Sequence, residues 1–309
     1  MVVAFLSYAE NNFIPKITMI ITKISGGLGN QLFQYAIGKQ LAHTQHAALK
    51  LDISYYTKRN QADAPRNYKL NRYRINETLV SPTDEDRILG VSFMRPIKRR
   101  LYKMGLDLFH WNYFRETTFG FFPSILKIKG DAILDGYWQS ENYFPDVRTA
   151  LLNEINLRDE FVTAPFRSVV KEIQSVNSVA VHIRRGDYVH NTAVNRDFGC
   201  CSMEYYKTSI RSMQEQIKDP QFYLFSDDPE WCRSNFKEFD NMQFVNGFED
   251  FQDLILMCNC RHQIIANSSF SWWGAWLNDN TEKVVVAPKL WMKNIESTED
   301  LFPEDWIIL

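Results

Sequence analysis

Four times along this chain an apolar run breaks off into glycines, charged groups or small polar residues, and at three of these breaks a helical pattern begins. Met19-Ile20-Ile21-Thr22-Lys23-Ile24 runs into Ser25-Gly26-Gly27-Leu28-Gly29-Asn30-Gln31. Leu32, Phe33, Ala36, Ile37 and Leu41 then recur at helical spacing. Val179-Ala180-Val181 ends in His182-Ile183-Arg184-Arg185-Gly186-Asp187. Phe222-Tyr223-Leu224-Phe225 ends in Ser226-Asp227-Asp228-Pro229, with the proline suited to a first helical turn. Ile264-Ile265-Ala266 breaks into Asn267-Ser268-Ser269-Phe270 ahead of three tryptophans. Strand-to-helix junctions repeated in this way predict βαβ units, whose parallel sheets are covered by helices.

The rhythm is cleanest in the second half. Strands are expected at 178–184, 221–226, 242–245, 262–266 and 283–287, and helices near 203–216, 229–236, 249–259 and 270–278. The first half offers a strand at 19–24, a helix at 30–44, and strands at 48–52 and 132–138. Polar and basic stretches between Tyr55 and Phe122 give few clear strands and predict an insertion that shapes a groove. Residues 1–18 start apolar but lack a basic leader and break at Glu10-Asn11-Asn12 and Pro15, a poor signal peptide and an expected N-terminal extension. The expected division is therefore 1–18, a first domain at 19–165 and a Rossmann-like domain at 166–309.

Strands of open α/β sheets deliver ligand-binding groups at their carboxyl ends. An isolated Arg-Arg pair would read as a solvated turn, but Arg184 and Arg185 follow a buried strand. Arginine's planar fork gives two parallel charge-assisted bonds to phosphate. The glycine turn lets backbone approach a ligand, and the helix behind it offers unpaired N–H groups to an anion. It is neither a P-loop nor a dinucleotide fingerprint, because neither spacing is present. Asn30 and Gln31 place two amides at a helix entrance where one N-cap would suffice. Either Asp227 or Asp228 can cap the helix at Pro229, leaving the other for a ligand's donors. The Asn267–Phe270 stretch offers a second anion seat, and most of the tryptophans after it are expected in the core.

The formal net charge of −2 argues against a nucleic-acid partner. Arg95, Lys98, Arg99, Arg100 and Lys103 read as a solvated helix face, with contact to an anionic membrane surface as the minority reading. No apolar stretch is long enough to span a bilayer. The five cysteines, at 200, 201, 232, 258 and 260, show neither a metal spacing with histidine nor a secreted framework, which predicts a reducing compartment. Of two glycosylation sequons, the one at Asn267 lies in the candidate site, again favouring the cytoplasm.

Together the four stretches resemble the bacterial α1,2-fucosyltransferases, glycosyltransferase family 11. That family is marked by G-G-L-G-N-Q-[LM]-F-Q-Y-A, H-x-R-[RG]-G-D-Y, F-S-D-D and N-S-[ST]-F-S-W-W-[GA]-A-W-L. They stand here at Gly26–Ala36, His182–Tyr188, Phe225–Asp228 and Asn267–Leu277. The resemblance implies an α/β, GT-B-like fold with two Rossmann-like domains facing each other across a cleft. It implies an inverting transferase that moves L-fucose from GDP-β-L-fucose to the 2-OH of a terminal galactose. The acceptor would be a free or lipid-linked oligosaccharide, and the enzyme cytoplasmic or peripheral at the inner face of the membrane.

For the donor, the resemblance and the residues together nominate Gly27, Gly29, Asn30, Gln31, His182, Arg184, Ser226, Asp227, Asn267, Ser268, Ser269 and Phe270. Arg184 is expected on the pyrophosphate, with Asn30 reaching it from the first domain and Ser268, Ser269 and Phe270 donating. His182 and Asp227 are expected to face guanine. Arg184, Asp187 and Asn30 form the catalytic set, and Asp187 either orients Arg184 or serves as base. Asp227-Asp228 could be a metal pair, but adjacent aspartates before a proline-led helix point apart, so no metal or other cofactor is expected. Donor binding is expected to draw the domains together. The opposing readings are a non-catalytic nucleotide-sugar or glycan binder and a glycoside hydrolase. The latter needs two acids about 5 to 9.5 Å apart across one bond. The acceptor glycan is not readable from the sequence.

Overall fold

The structure, a computed structural model, describes residues 17–57, 66–76, 78–90, 94–104, 112–190, 196, 199–293 and 297–309; the side chains of residues 102, 103, 187 and 190 also lie outside this description. The first sheet contains β1 (Met19–Lys23), β2 (Ala48–Asp52), β3 (Tyr113–Arg115) and β4 (Ala132–Asp135). The second contains β5 (Asn177–Ile183), β6 (Pro220–Ser226), β7 (Met242–Phe244), β8 (His262–Ile264), β9 (Val285–Ala287) and β10 (Ile307–Ile308). The α-helices in the first half are α1 (Leu28–Gln45), α2 (Ser54–Thr57), α3 (Pro82–Leu89), α4 (Arg95–Lys103), α5 (Arg148–Glu154) and α6 (Ala164–Ser175). In the second half they are α7 (Gly186–His190), α8 (Met203–Gln216), α9 (Pro229–Asn235), α10 (Asp250–Asn259) and α11 (Ser269–Trp276).

All strand pairs in both sheets are parallel. The first sheet runs β2-β1-β4-β3 and the second β10-β9-β8-β5-β6-β7. Strand order therefore reverses between β1 and β4 in one sheet and between β5 and β8 in the other. Those switch points open crevices at the carboxyl ends of the strands, where α/β sheets take ligands. β5 is buried along almost its whole length, as a parallel strand covered on both faces must be.

The two sheets share one hydrophobic core. α1 and α11 are buried on nearly all sides and pack against each other at its centre. Phe33 of α1 lies 4.4 Å from the Trp272 ring and 5.1 Å from Trp273. Phe144 stacks on Trp273 at 5.5 Å. Trp272 and Trp273 are wholly buried and Trp276 nearly so, so the tryptophan triplet is core. α6 begins at Ala164, which puts the expected division between 165 and 166 inside its first turn. Asn267 is 2 % exposed, so its sequon cannot carry a glycan in the folded chain.

Candidate active site

The glycine turn leaves β1 and becomes α1 at Leu28, with Gly27 as N-cap and no side-chain cap bond. α11 starts at Ser269, and its N-cap Ser268 likewise makes no side-chain cap bond. Neither helix carries an acidic residue in its first turn. Their N-termini meet: a Cβ built on Gly29 would fall 2.3 Å from the Ser269 carbonyl carbon and 2.4 Å from the Phe270 nitrogen. Only glycine permits that approach. Gly27 has open space where its Cβ would stand. Two helices from two sheets thus aim uncapped, positive ends at one place, a seat for an anion.

The carboxyl end of β5 supplies the cations. Arg184 pairs with Asp227 at 2.9 Å, and its guanidinium lies 5.6 Å from the Tyr188 ring centre. Arg185 turns the other way, bonding Asp228 at 3.2 Å and stacking 3.8 Å over Trp231. Asp227 also accepts the Arg185 N–H at 2.8 Å and the Gly186 N–H. Burial would raise the Asp227 carboxyl, but Arg184 and those N–H groups outweigh it and hold it below its ordinary value. Asp228 caps α9 through the Trp231 N–H. Each aspartate is therefore answered by an arginine, and the two point apart as a metal pair would not.

His182 lies under Phe270, with ring centres 5.3 Å apart. It is 5 % exposed, and its Nδ1 has no hydrogen-bond partner. Burial depresses its pKa to about 3, with Asp227 opposing and Arg184 adding. It is a neutral imidazole at physiological pH.

The structure brings Gly27, Asn30, Ser268, Ser269, Phe270, His182, Arg184 and Asp227 around this seat. Others among the expected residues spend their polar atoms internally. Gln31 is fully buried, donating to the Gly26 and Asn67 carbonyls and accepting the Lys69 N–H. Asn267 donates to the Gly199 and Trp291 carbonyls and accepts from the Cys201 thiol. Ser226 accepts the Asp228 N–H at 3.0 Å. Gly29 is occupied by helix packing. Asp227 turns to Arg184, the orienting part considered for Asp187, whose side chain lies outside the described residues. Among the described residues, no group of three or more His, Cys, Asp or Glu could hold a metal ion.

Two residues that sequence reasoning missed enter the site, and a third, Glu116, is linked to it through the loop after β4. Gln139 donates to Asn30 Oδ1 at 2.9 Å and accepts from the Trp291 indole at 3.3 Å, fixing the asparagine at the cleft. Tyr188 donates to the Asn267 carbonyl at 3.0 Å, tying α7 to the α11 junction. Glu116 sits at the end of β3 beside the β4 switch point. Its only sequence signal is Tyr113-Phe114 running into Arg115-Glu116, the strand-to-polar pattern in miniature.

The sequence matches glycosyl transferase family 11 over residues 19–309. It is 34% identical over 301 residues to an alpha-1,2-colitosyltransferase of Escherichia coli, spanning 94% of this chain and 98% of that one. It is 31% identical over 305 residues to the O-antigen biosynthesis glycosyltransferase WbnK of Escherichia coli, spanning 93% and 99%. Among solved structures, Arabidopsis thaliana FUT1 in complex with GDP matches the fold with a TM-score of 0.51 at 10% identity, over 87% of this chain and 70% of that one. With paired parallel sheets, convergent helix ends and a family match over nearly its whole length, the chain belongs to glycosyl transferase family 11.

Proposed function

We propose that the chain transfers L-fucose from GDP-β-L-fucose to the 2-OH of a terminal galactose, inverting the anomeric centre to give an α1,2 linkage. The observation that carries this is the meeting of two uncapped helix N-termini beside Arg184. Departure of GDP builds negative charge on the β-phosphate, and donors fixed in advance stabilise that charge without reorganising. Arg184 takes the diphosphate, held in line by Asp227. The first-turn N–H groups of α11 and the Gly27 turn face it from opposite sheets. Asn30, steadied by Gln139, reaches toward the fucose. Neutral His182 presents its unpartnered Nδ1 to the nucleotide.

The alpha-1,2-colitosyltransferase relative favours a second donor, GDP-colitose, over the same seat. Both donors should be offered with a panel of galactose-terminated oligosaccharides, and the linkage in any product read by NMR. Turnover with GDP-fucose and a galactoside supports the first reading, and turnover with GDP-colitose alone supports the second. GDP binding without turnover of either would make the protein a binder. We take the reaction to be metal-independent, because arginine already answers both Asp227 and Asp228; full activity in EDTA is the expected result. We place the enzyme in the cytoplasm, acting on a free or lipid-linked acceptor. No helix of the described residues is long and apolar enough to cross a membrane.

A further inference from the structure

The rim of the first sheet carries three carboxylates at strand ends. Asp52, ending β2, accepts the Ser54 N–H at 2.9 Å. Asp135, ending β4, lies 3.8 Å from Lys23 and 3.9 Å from Arg115 and accepts the Tyr113 hydroxyl. Glu116 differs from both. Its recorded partners are backbone N–H groups, Tyr137 at 2.6 Å and Trp138 at 3.2 Å. Among the described residues no lysine or arginine pairs with it. Burial raises its carboxyl above the ordinary value against the pull of those two N–H groups. A half-buried carboxylate with no cation paired to it is a stronger base than a fully exposed or paired one.

Two observations tie Glu116 to the reacting centre. All strands of the first sheet are parallel, so β3 ends on the rim where β1 gives rise to Asn30. The loop after β4 then links the two residues through adjacent positions: Trp138 is held by Glu116, and its neighbour Gln139 holds Asn30. That loop is built for closeness. A Cβ on Gly136 would lie 2.4 Å from the Glu116 Cβ. Trp138 takes a left-handed φ of 56°, a conformation that costs a non-glycine residue about 1 to 3 kcal/mol and collects at functional sites. Outward from Glu116 opens a cavity of about 1820 Å³. Its lining is mostly apolar, with Tyr113, Phe122 and Trp138 as aromatic platforms for sugar faces and Arg95, Arg99 and Arg100 of α4 as donors to hydroxyls.

Resting on the fucosyl-transfer reading, we propose that Glu116 is the general base for the acceptor hydroxyl and that this cavity seats the acceptor. The galactose oxygen forms its bond to fucose C1 from the face opposite the nucleotide while its O–H bond gives the proton to the Glu116 carboxylate. The bond from C1 to the β-phosphate oxygen breaks, and its electron pair leaves with GDP. The carboxylic acid then returns the proton to water.

Glu116→Gln tests this with the fold preserved, because the amide oxygen can still accept the loop N–H groups. The expected result is a fall in kcat for galactoside transfer of about 10²- to 10⁴-fold, with GDP affinity by calorimetry unchanged. Azide offered in place of the galactoside attacks as an anion and brings no proton. The variant should therefore form fucosyl azide from GDP-fucose at the wild-type rate. Galactoside transfer by the variant within threefold of wild type, or equal losses with galactoside and azide, would overturn the assignment. If the wild-type enzyme uses GDP-fucose with neither nucleophile, the fucosyl reading itself falls, and the base with it.

Discussion

Arg184 is fixed from two sides, by the Asp227 carboxylate at 2.9 Å and by the face of Tyr188. A lysine there could keep the charge but not the planar fork or its alignment. Arg184→Lys and Arg184→Ala should each lower kcat/KM by about 10²- to 10³-fold, the usual loss for one transition-state donor. Circular dichroism should stay unchanged. Near-normal kinetics in either variant would remove Arg184 from the diphosphate. His182 makes a pH prediction of definite sign. Its folded pKa near 3 lies below the unfolded value near 6.5. Stability is therefore complete above pH 6.5 and is lost as pH falls toward 3. By pH 5.5 the loss is on the order of 1 kcal/mol. Melts at pH 7.5 and 5.5 should show this extra slope in wild type and lose it in His182→Gln. Arg184 stood out in the sequence because an arginine at the end of a buried strand invites a ligand, and the structure gives it Asp227 as a partner. Glu116 did not, because the contacts that single it out come from Tyr137 and Trp138 in a loop that folds back over it.

Most elements of the second half were legible, short ones included: β7, β8, β9 and α9 lie within a few residues of expectation. α1, α8, α10 and α11 lie within a few residues of expectation, as do β1, β2, β5 and β6. β3, at 113–115, lies in the polar and basic stretch that masked it, and β10 has two residues, too few for any period to declare itself. α3 lies in the stretch that read as an insertion without clear strands, and α4 matches the basic run that read as a solvated helix face. The glycine turn divides into two roles at this scale. Gly29→Ala would drive a methyl into the backbone of α11, and α1 cannot retreat without opening the tryptophan core. The cost expected is about 3 kcal/mol, the upper end for overpacking. Gly27→Ala meets nothing, and φ there is −78°, so its stability cost should stay near 1 kcal/mol. If Gly27 faces the donor, the same methyl should raise the dissociation constant for GDP-fucose. Denaturant melts beside calorimetry would separate the two, and a harmless Gly29→Ala would contradict the helix contact.

Across the whole molecule, the two sheets are joined by a hydrophobic seam, not by a solvated linker. Domains hinge readily when their interface is small and polar, and this one is large and aromatic. The domain closure expected from the motifs would have to break contacts among Phe33, Phe144, Trp272 and Trp273. We expect a single cooperative unfolding transition, with calorimetric and van't Hoff enthalpies equal. Small-angle scattering should show little change when GDP is added. Two separated transitions would mean that the seam is weaker than its packing implies.

The same seam governs how such an enzyme can be recombined. Two-sheet transferases invite chimeras in which the sugar-nucleotide half of one protein is grafted onto the recognition half of another. Here the cut would pass between Phe33 and the tryptophans it packs against, and between Gly29 and the backbone it nearly touches. A parent with a different residue at either place would leave a void or a clash at the middle of the hybrid. The tractable exchange is smaller: the 113–139 rim, with its strap over Glu116, could be traded between relatives while both partners of the seam stay in their original chain. Altered acceptor preference would then travel with 27 residues instead of half a protein.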